Sequence, residues 1–269
     1  MYKGPVTTDP AGSLDVLLAT LRRSHDRLTG IAAPLTADQV TGPSYDDDWS
    51  IAQVLSHLGS GAEIFSLLLD AGLRGEPTSG TDRNQEIWDR WNGKNPEEQV
   101  RDAIVTDAAF LDRLAALDAA ERDRWRMSMF GGEQDLSGLA RMRLSEHTLH
   151  TWDVAVMLDA RDTLPEDAVE QIIDTVPGMA GYVAKPAGQD LRVHVATERP
   201  ARSFRIEAGP DGASLAPADA EPAAGEARLR LPAEALVRLI AGRLDPAHTP
   251  AVASEDVDLD ALRAVFPGF

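Results

Sequence analysis

The stretch LSGLARMRLSEHTLHTWDVAVML, residues 136–158, holds Arg143, Glu146, His150 and Asp153 at intervals of three and four residues. That spacing sets all four along one stripe of an α-helix. Leu139 and Met142 open the same stripe, and Val154 and Met157 close it. Charged groups enclosed by apolar neighbours point into a packed interior, where an unpaired charge is strongly unfavourable. The stretch therefore predicts a long helix that forms one wall of a helical core and carries into it polar groups that need partners.

Three further long helices are predicted around it. One covers residues 13–28, with Leu14, Leu17, Leu18, Leu21 and Leu28 at helical spacing. A second starts at Ser50, where Ser50-Ile51-Ala52-Gln53 has the form of a capping box, and continues to Gly72 or Gly75. A third runs from Pro96 to about Arg122 through Val100, Ile104, Ala108, Leu111 and Leu114. A short tryptophan-bearing piece at 85–91, a loop at Gly131-Gly132 and a last helix from Pro165 to about Tyr182 complete this part. Four long helices joined by turns predict an antiparallel four-helix bundle.

The texture changes near Pro186. Leu191-Arg192-Val193-His194-Val195 and Phe204-Arg205-Ile206-Glu207 alternate with period two, Gly209-Pro210-Asp211-Gly212 is a turn, and Arg228-Leu229-Arg230-Leu231 alternates again. Pro232 opens a helix through Leu236, Leu239 and Ile240, and residues 216–226 read as a flexible acidic loop. The expectation is an α+β protein: a bundle over 1–185 and a small α+β domain over 186–269.

Composition narrows the chemistry. The 269 residues include no cysteine, which excludes disulfides, thiolate metal sites and a protein thiol as nucleophile. With 26 basic and 44 acidic residues the formal net charge is −18, unfavourable for nucleic acid and anionic lipid partners. No apolar run is long enough to cross a bilayer and no secretory signal is read at the start, so the expected location is the cytoplasm.

The chemistry-bearing residues are few. Glu146 and His150, four residues apart, can both reach one ion. His57 lies on the stripe Val54, His57, Gly61, Ile64, Leu68, with Gly61 leaving room beside its ring. Together they offer two nitrogens and a carboxylate with an open fourth position, the arrangement of a catalytic zinc. Asp153 can accept from the second ring nitrogen of His150, and Arg143 stands beside it on the stripe. The residues alone also permit a satisfied core histidine at 57 and a surface Glu146–His150 hydrogen bond. His147 is expected to point off the ligand face, into solvent or between helices, His25, His194 and His248 have no partners at ligand spacing, and Trp88, Trp91, Trp125 and Trp152 are expected in the core.

At Trp49-Ser50, Val54-Leu55-Ser56-His57-Leu58, Met142-Arg143-Leu144-Ser145-Glu146-His147-Thr148-Leu149-His150 and Trp152-Asp153-Val154 the sequence resembles the mycothiol-dependent maleylpyruvate isomerase family, whose N-terminal part is a DinB-like bundle. The resemblance covers most of the chain. It implies that His57, Glu146 and His150 bind zinc, and that mycothiol, a low-molecular-weight thiol, is a co-substrate acting on a small electrophile, by cis–trans isomerisation or thiol transfer. Val237-Arg238-Leu239-Ile240-Ala241-Gly242-Arg243 is similar to the family segment that ends in a catalytic arginine, which implies that role for Arg243 in a cleft to which the second domain contributes. Residues 265–269 and the acidic stretch before Glu226 depart from the isomerase, so the resemblance does not extend to the substrate. The alternatives are a zinc hydrolase using water, with Asp153 as base, and a non-enzymatic metal- and ligand-binding module.

Overall fold

The computed structural model describes residues 11–46, 48–78, 80–129, 132–219 and 221–268. The start of the chain, Gly131 and Phe269, on which parts of the sequence reading fall, lie outside the described residues. Among the described residues no helix is long and apolar enough to cross a membrane.

The chain folds as two compact units that divide between Asp162 and Thr163. The first contains α1 (Ala11–Ala32), α2 (Ala37–Val40), α3 (Ile51–Arg74), α4 (Thr81–Asn92), α5 (Pro96–Ala115), α6 (Ala119–Arg124), the hairpin β1 (Met127–Met129) and β2 (Gly132–Gln134), and α7 (Leu136–Ala155). Helices α1, α3, α5 and α7 are the bundle, α3 packing on α5 and α7, and α1 on α5 and α7.

Local chemistry sets the helix ends. Ser50 Oγ accepts from Gln53 N–H, while Gln53 Oε1 accepts from Ser50 N–H at 2.8 Å, so the capping box starts α3. Gly75 ends it in the left-handed region at φ 67°. The helix expected to reach Arg122 stops at Ala115, because Asp118 caps a new one: its carboxylate accepts from Glu121 N–H at 2.8 Å. Of the predicted loop at Gly131-Gly132, the described residue Gly132 opens β2, which pairs antiparallel with β1.

Aromatic rings fill the bundle where α3 has no side chain. A Cβ on Gly59 would lie 2.3 Å from the Trp91 ring, and one on Gly72 2.3 Å from Trp125 Nε1. Trp91, Trp125 and Trp152 are core as expected, but Trp88 is 39% exposed, because α4 buries only one narrow face.

The second unit contains α8 (Glu166–Ile172), α9 (Val176–Val183), β3 (Leu191–Glu198), β4 (Ser203–Gly209), β5 (Gly212–Pro217), β6 (Ala227–Pro232), α10 (Ala233–Ile240), β7 (Ala253–Glu255) and α11 (Leu259–Val265). The structural boundary falls earlier than the compositional one at 185/186, because α9 packs on β5 and both α8 and α9 pack on α10. The single helix expected over 165–182 is divided, with Pro177 in the first turn of α9, a position where its missing N–H costs no bond. The sheet order is β5-β4-β3-β6-β7, antiparallel except for the parallel β3–β6 pair. Val193, Val195, Phe204, Ile206, Leu229 and Leu231 alternate onto its buried face. Of the stretch 216–226 expected as a flexible loop, residues 216 and 217 belong to β5, and 218–219 and 221–226 lie outside strands and helices but are pinned: His194 Nε2 bonds Asp219 O at 3.0 Å, and Arg205 bonds Glu226 at 2.6 Å. Hydrogen bonds from Arg205, from Ala223 N–H and from Arg192 hold the Glu226 carboxyl at about 2.

Candidate metal centre

Among the described residues, two groups of three side chains in the bundle are spaced so that they could hold a metal ion, His57/Glu146/His150 and His25/Asp107/His147. Their environments differ sharply.

The first group is the one the sequence singles out. His57 Nε2 lies 3.2 Å and His150 Nε2 3.7 Å from the same oxygen, Glu146 Oε2. Donors around a tetrahedral zinc at 2.0–2.1 Å stand about 3.3 Å apart, so this spacing suits an ion with little movement. The side chains of His57, Glu146 and His150 are 32%, 46% and 13% exposed, so a small molecule can reach them. Behind them Asp153, fully buried, receives the other ring nitrogen of His150: Nδ1 to Oδ2 is 2.8 Å. This turns His150 Nε2 toward Glu146. Partial burial raises the Glu146 carboxyl, but the His57 hydrogen bond and the charges of His150, His57 and Arg143 outweigh it and bring it to about 2.

Arg143, expected beside these donors, acts on Glu146 through its charge while its guanidinium is bonded to Asp107 and to Leu58 O. A Cβ on Gly61 would lie 3.0 Å from Arg143 Nη1, so the missing side chain leaves room for that guanidinium. Met157 also leaves the expected stripe, being 42% exposed beyond the end of α7.

The second group was not visible as a group. His25 Nδ1 is 2.7 Å from Asp107 Oδ2, His147 Nε2 is 3.3 Å from that oxygen, and Arg143 Nη2 is 2.7 Å from Asp107 Oδ1. Arg143 Nη2 also donates to Leu58 O at 2.9 Å, and His147 Nδ1 shares a hydrogen bond with Ser24 Oγ at 2.8 Å. His147, expected off the ligand face in solvent or between helices, takes the interhelix position and is 1% exposed. The reason is that α7 packs on both α1 and α3, so more than one of its stripes is buried. His25 likewise has ligand-type partners, supplied by α5 and not by its own helix. Burial raises the Asp107 carboxyl, yet Arg143 and His147 hold it well below the carboxylate range. Burial pushes His147 toward the neutral imidazole. The carboxylate and guanidinium thus balance, and the cluster ties α1, α3, α5 and α7 together.

Arg243 lies in the second unit, just after α10. Gly242 before it has φ +72°, and a Cβ there would lie 2.4 Å from Pro267 O, so the turn requires glycine. Arg243 Nη1 donates to Ala241 O at 2.9 Å, at the C-terminal end of α10. Its backbone N–H donates to Arg238 O at 2.7 Å.

A four-helix bundle in which, against the antiparallel expectation, α3 and α5 run parallel (Gly59 beside Ala103, Phe65 against Phe110, Asp70 paired with Arg113) carries two histidines and a glutamate converging on one reachable point; followed by a mixed sheet with helices, it defines an α+β protein with a candidate metal centre. The family model described as mycothiol maleylpyruvate isomerase N-terminal domain matches residues 21–155, half of the chain, and the chain belongs to that family. The crystal structure of the mycothiol-dependent maleylpyruvate isomerase superposes with a TM-score of 0.65 at 16% identity, over 90% of this chain and 92% of that one. A histidine-to-alanine mutant of that isomerase gives the same values. YfiT from Bacillus subtilis, described as a probable metal-dependent hydrolase with an unusual four-helix bundle topology, has a TM-score of 0.44 at 15% identity, over 58% of this chain and 93% of that one. No curated protein sequence matches.

Proposed function

We propose that this protein is a metal- and mycothiol-dependent enzyme, cytoplasmic, that directs an external thiol onto a small electrophile, as an isomerase of the maleylpyruvate type or a thiol transferase. The observation that carries the reading is the convergence of His57 Nε2, Glu146 Oε2 and His150 Nε2 at ion-binding spacing on a reachable face. A divalent ion there, zinc by its nitrogen and oxygen donors, would supply a Lewis acid able to keep a thiol, with a free pKa of about 8.5, deprotonated near neutral pH. The buried group suits an ion less well: Arg143 already neutralises Asp107, and an added double charge in a dry core would go unbalanced.

The chain's own groups have distinct tasks in this reading. Glu146 offers the negative charge, His57 and His150 the neutral nitrogens, and Asp153 fixes the tautomer of His150. Arg243 would bind a substrate carboxylate or developing enolate. Asp153 is fully buried and engaged with His150, which disfavours the hydrolase reading, since that needs it as a base facing water. Asp153→Asn is expected to weaken zinc binding about 10- to 100-fold while leaving the fold intact, as measured by chelator competition.

The function itself is tested by assaying zinc-loaded protein on a panel of conjugated cis-alkenes and alkylating electrophiles with and without mycothiol. Turnover that requires the thiol, and falls in Arg243→Ala with zinc retained, is expected. Hydrolysis independent of thiol, or no turnover on any electrophile, overturns the reading.

A further inference from the structure

Trp49 immediately precedes the cap of α3, and its ring meets both histidines of the candidate metal centre. Its indole lies 5.2 Å from the His57 ring, centroid to centroid, and 6.2 Å from His150, where the planes are within 26° of parallel. The two imidazoles are themselves 4.5 Å apart at 63°. The three rings therefore close a triangle in contact range for aromatic pairs. His150 has a hydrogen bond to fix its plane, through Asp153. His57 sits on a different helix, and its ring meets Glu146, His150 and the indole.

The segment carrying Trp49 is itself anchored. Ser44 Oγ donates to Trp49 O at 2.8 Å, Trp49 N–H donates to Asp46 O at 2.9 Å, and Tyr45 N–H donates to Asp153 O at 3.0 Å. The Tyr45 ring packs edge-on to Trp152 at 4.7 Å. The indole is thus held from α7 as well as from α3, the two helices that carry the donors.

We propose that Trp49 is a positioning residue for the metal centre: its indole sets the planes of the His57 and His150 rings so that both Nε2 atoms face Glu146 before an ion arrives. The inference rests on the assignment of His57, Glu146 and His150 as ligands. A rival role is built into the same residue. Trp49 precedes the N-cap and packs against the apolar cluster that includes Val54, which is the geometry of a hydrophobic staple at a helix start. A staple needs only apolar bulk, whereas ring positioning needs a flat face.

The test compares wild type with Trp49→Phe, Trp49→Leu, Trp49→Met and His57→Ala. Zinc affinity is read by chelator competition, ligand geometry from the visible absorption of bound cobalt(II), and folding from the urea midpoint. Phe is expected to bind zinc within about threefold of wild type with the same cobalt spectrum. Leu and Met, which keep the staple, are expected to fold yet lose about 10- to 100-fold in affinity, the range for groups that orient a ligand, with shifted cobalt bands. Using two aliphatic variants keeps the comparison alive if one folds poorly. Wild-type affinity and spectrum in Leu or Met overturn the inference alone, as does a Phe variant no better than they are. Cobalt that is not bound by wild type, or is fully retained by His57→Ala, overturns the ligand assignment and this inference with it.

Discussion

His57→Ala is expected to remove the bound ion and the activity together. The three donors come from two helices, His57 from α3 and Glu146 and His150 from α7. Losing His57 leaves only two donors, both on one helix and both partly exposed, which water can replace. The effect is visible without any assay of turnover. An ion that binds only the folded chain stabilises it by about 2.7 kcal/mol when free metal is a hundredfold above Kd. Wild type should show that gain on zinc addition and His57→Ala should show none, while metal analysis after dialysis should fall from one ion per chain to none. His25→Ala is the informative companion. An ion kept by His57→Ala but lost by His25→Ala would place it at the buried Asp107 cluster.

Asp107→Asn is expected to produce the largest loss of stability of any single polar substitution in the bundle. The side chains of Asp107 and Arg143 are 3% and 1% exposed and 2.7 Å apart. Breaking a buried pair by neutralising one member strands the other, at about 3–5 kcal/mol. Urea denaturation should show this as a lower midpoint at unchanged slope. Replacing both, with Asp107→Leu and Arg143→Met, should recover part of the loss, because no charge is then left unpaired although His25, His147 and Leu58 O lose a partner. The pH dependence has a definite sign. The folded Asp107 carboxyl is depressed by Arg143 and His147 against the opposing effect of burial, so its stabilisation is full above the unfolded value of about 3.9. It is lost only as pH falls through the lower folded value.

Much of the first cluster was legible because its signals are local. Glu146, His150 and Asp153 share one helix, and their spacing alone puts them on one stripe. His57 was found as a polar residue on an apolar stripe. The same signal marks His25 among Leu21 and Leu28, and Asp107 among Val100, Ala103, Phe110 and Leu114. Neither was recognised, because each partner lies on a different helix and a single stripe does not say which helix it meets. Stripe reasoning leaves His147 in solvent or between helices for a related reason: a helix enclosed by two neighbours buries more than one face, and one stripe does not say which others are covered. Trp49 carried no periodic signal, since it stands just outside a helix.

The sequence by itself determined the secondary structure of the bundle and the sheet, through caps, periodicity and turn residues that act within a few positions. It also determined the donor set, since without cysteine only histidine and carboxylate remain for a metal. Tertiary structure decided which charges are neutralised by one another and which remain reachable. Arg143 shares a stripe with Glu146, yet it turns to Asp107 on α5 and Leu58 on α3. That choice depends on the packing of α7 against α1 and α3, with α5 within reach of the Arg143 side chain, where the low polarisability of the core makes an unpaired charge costlier than any local alternative.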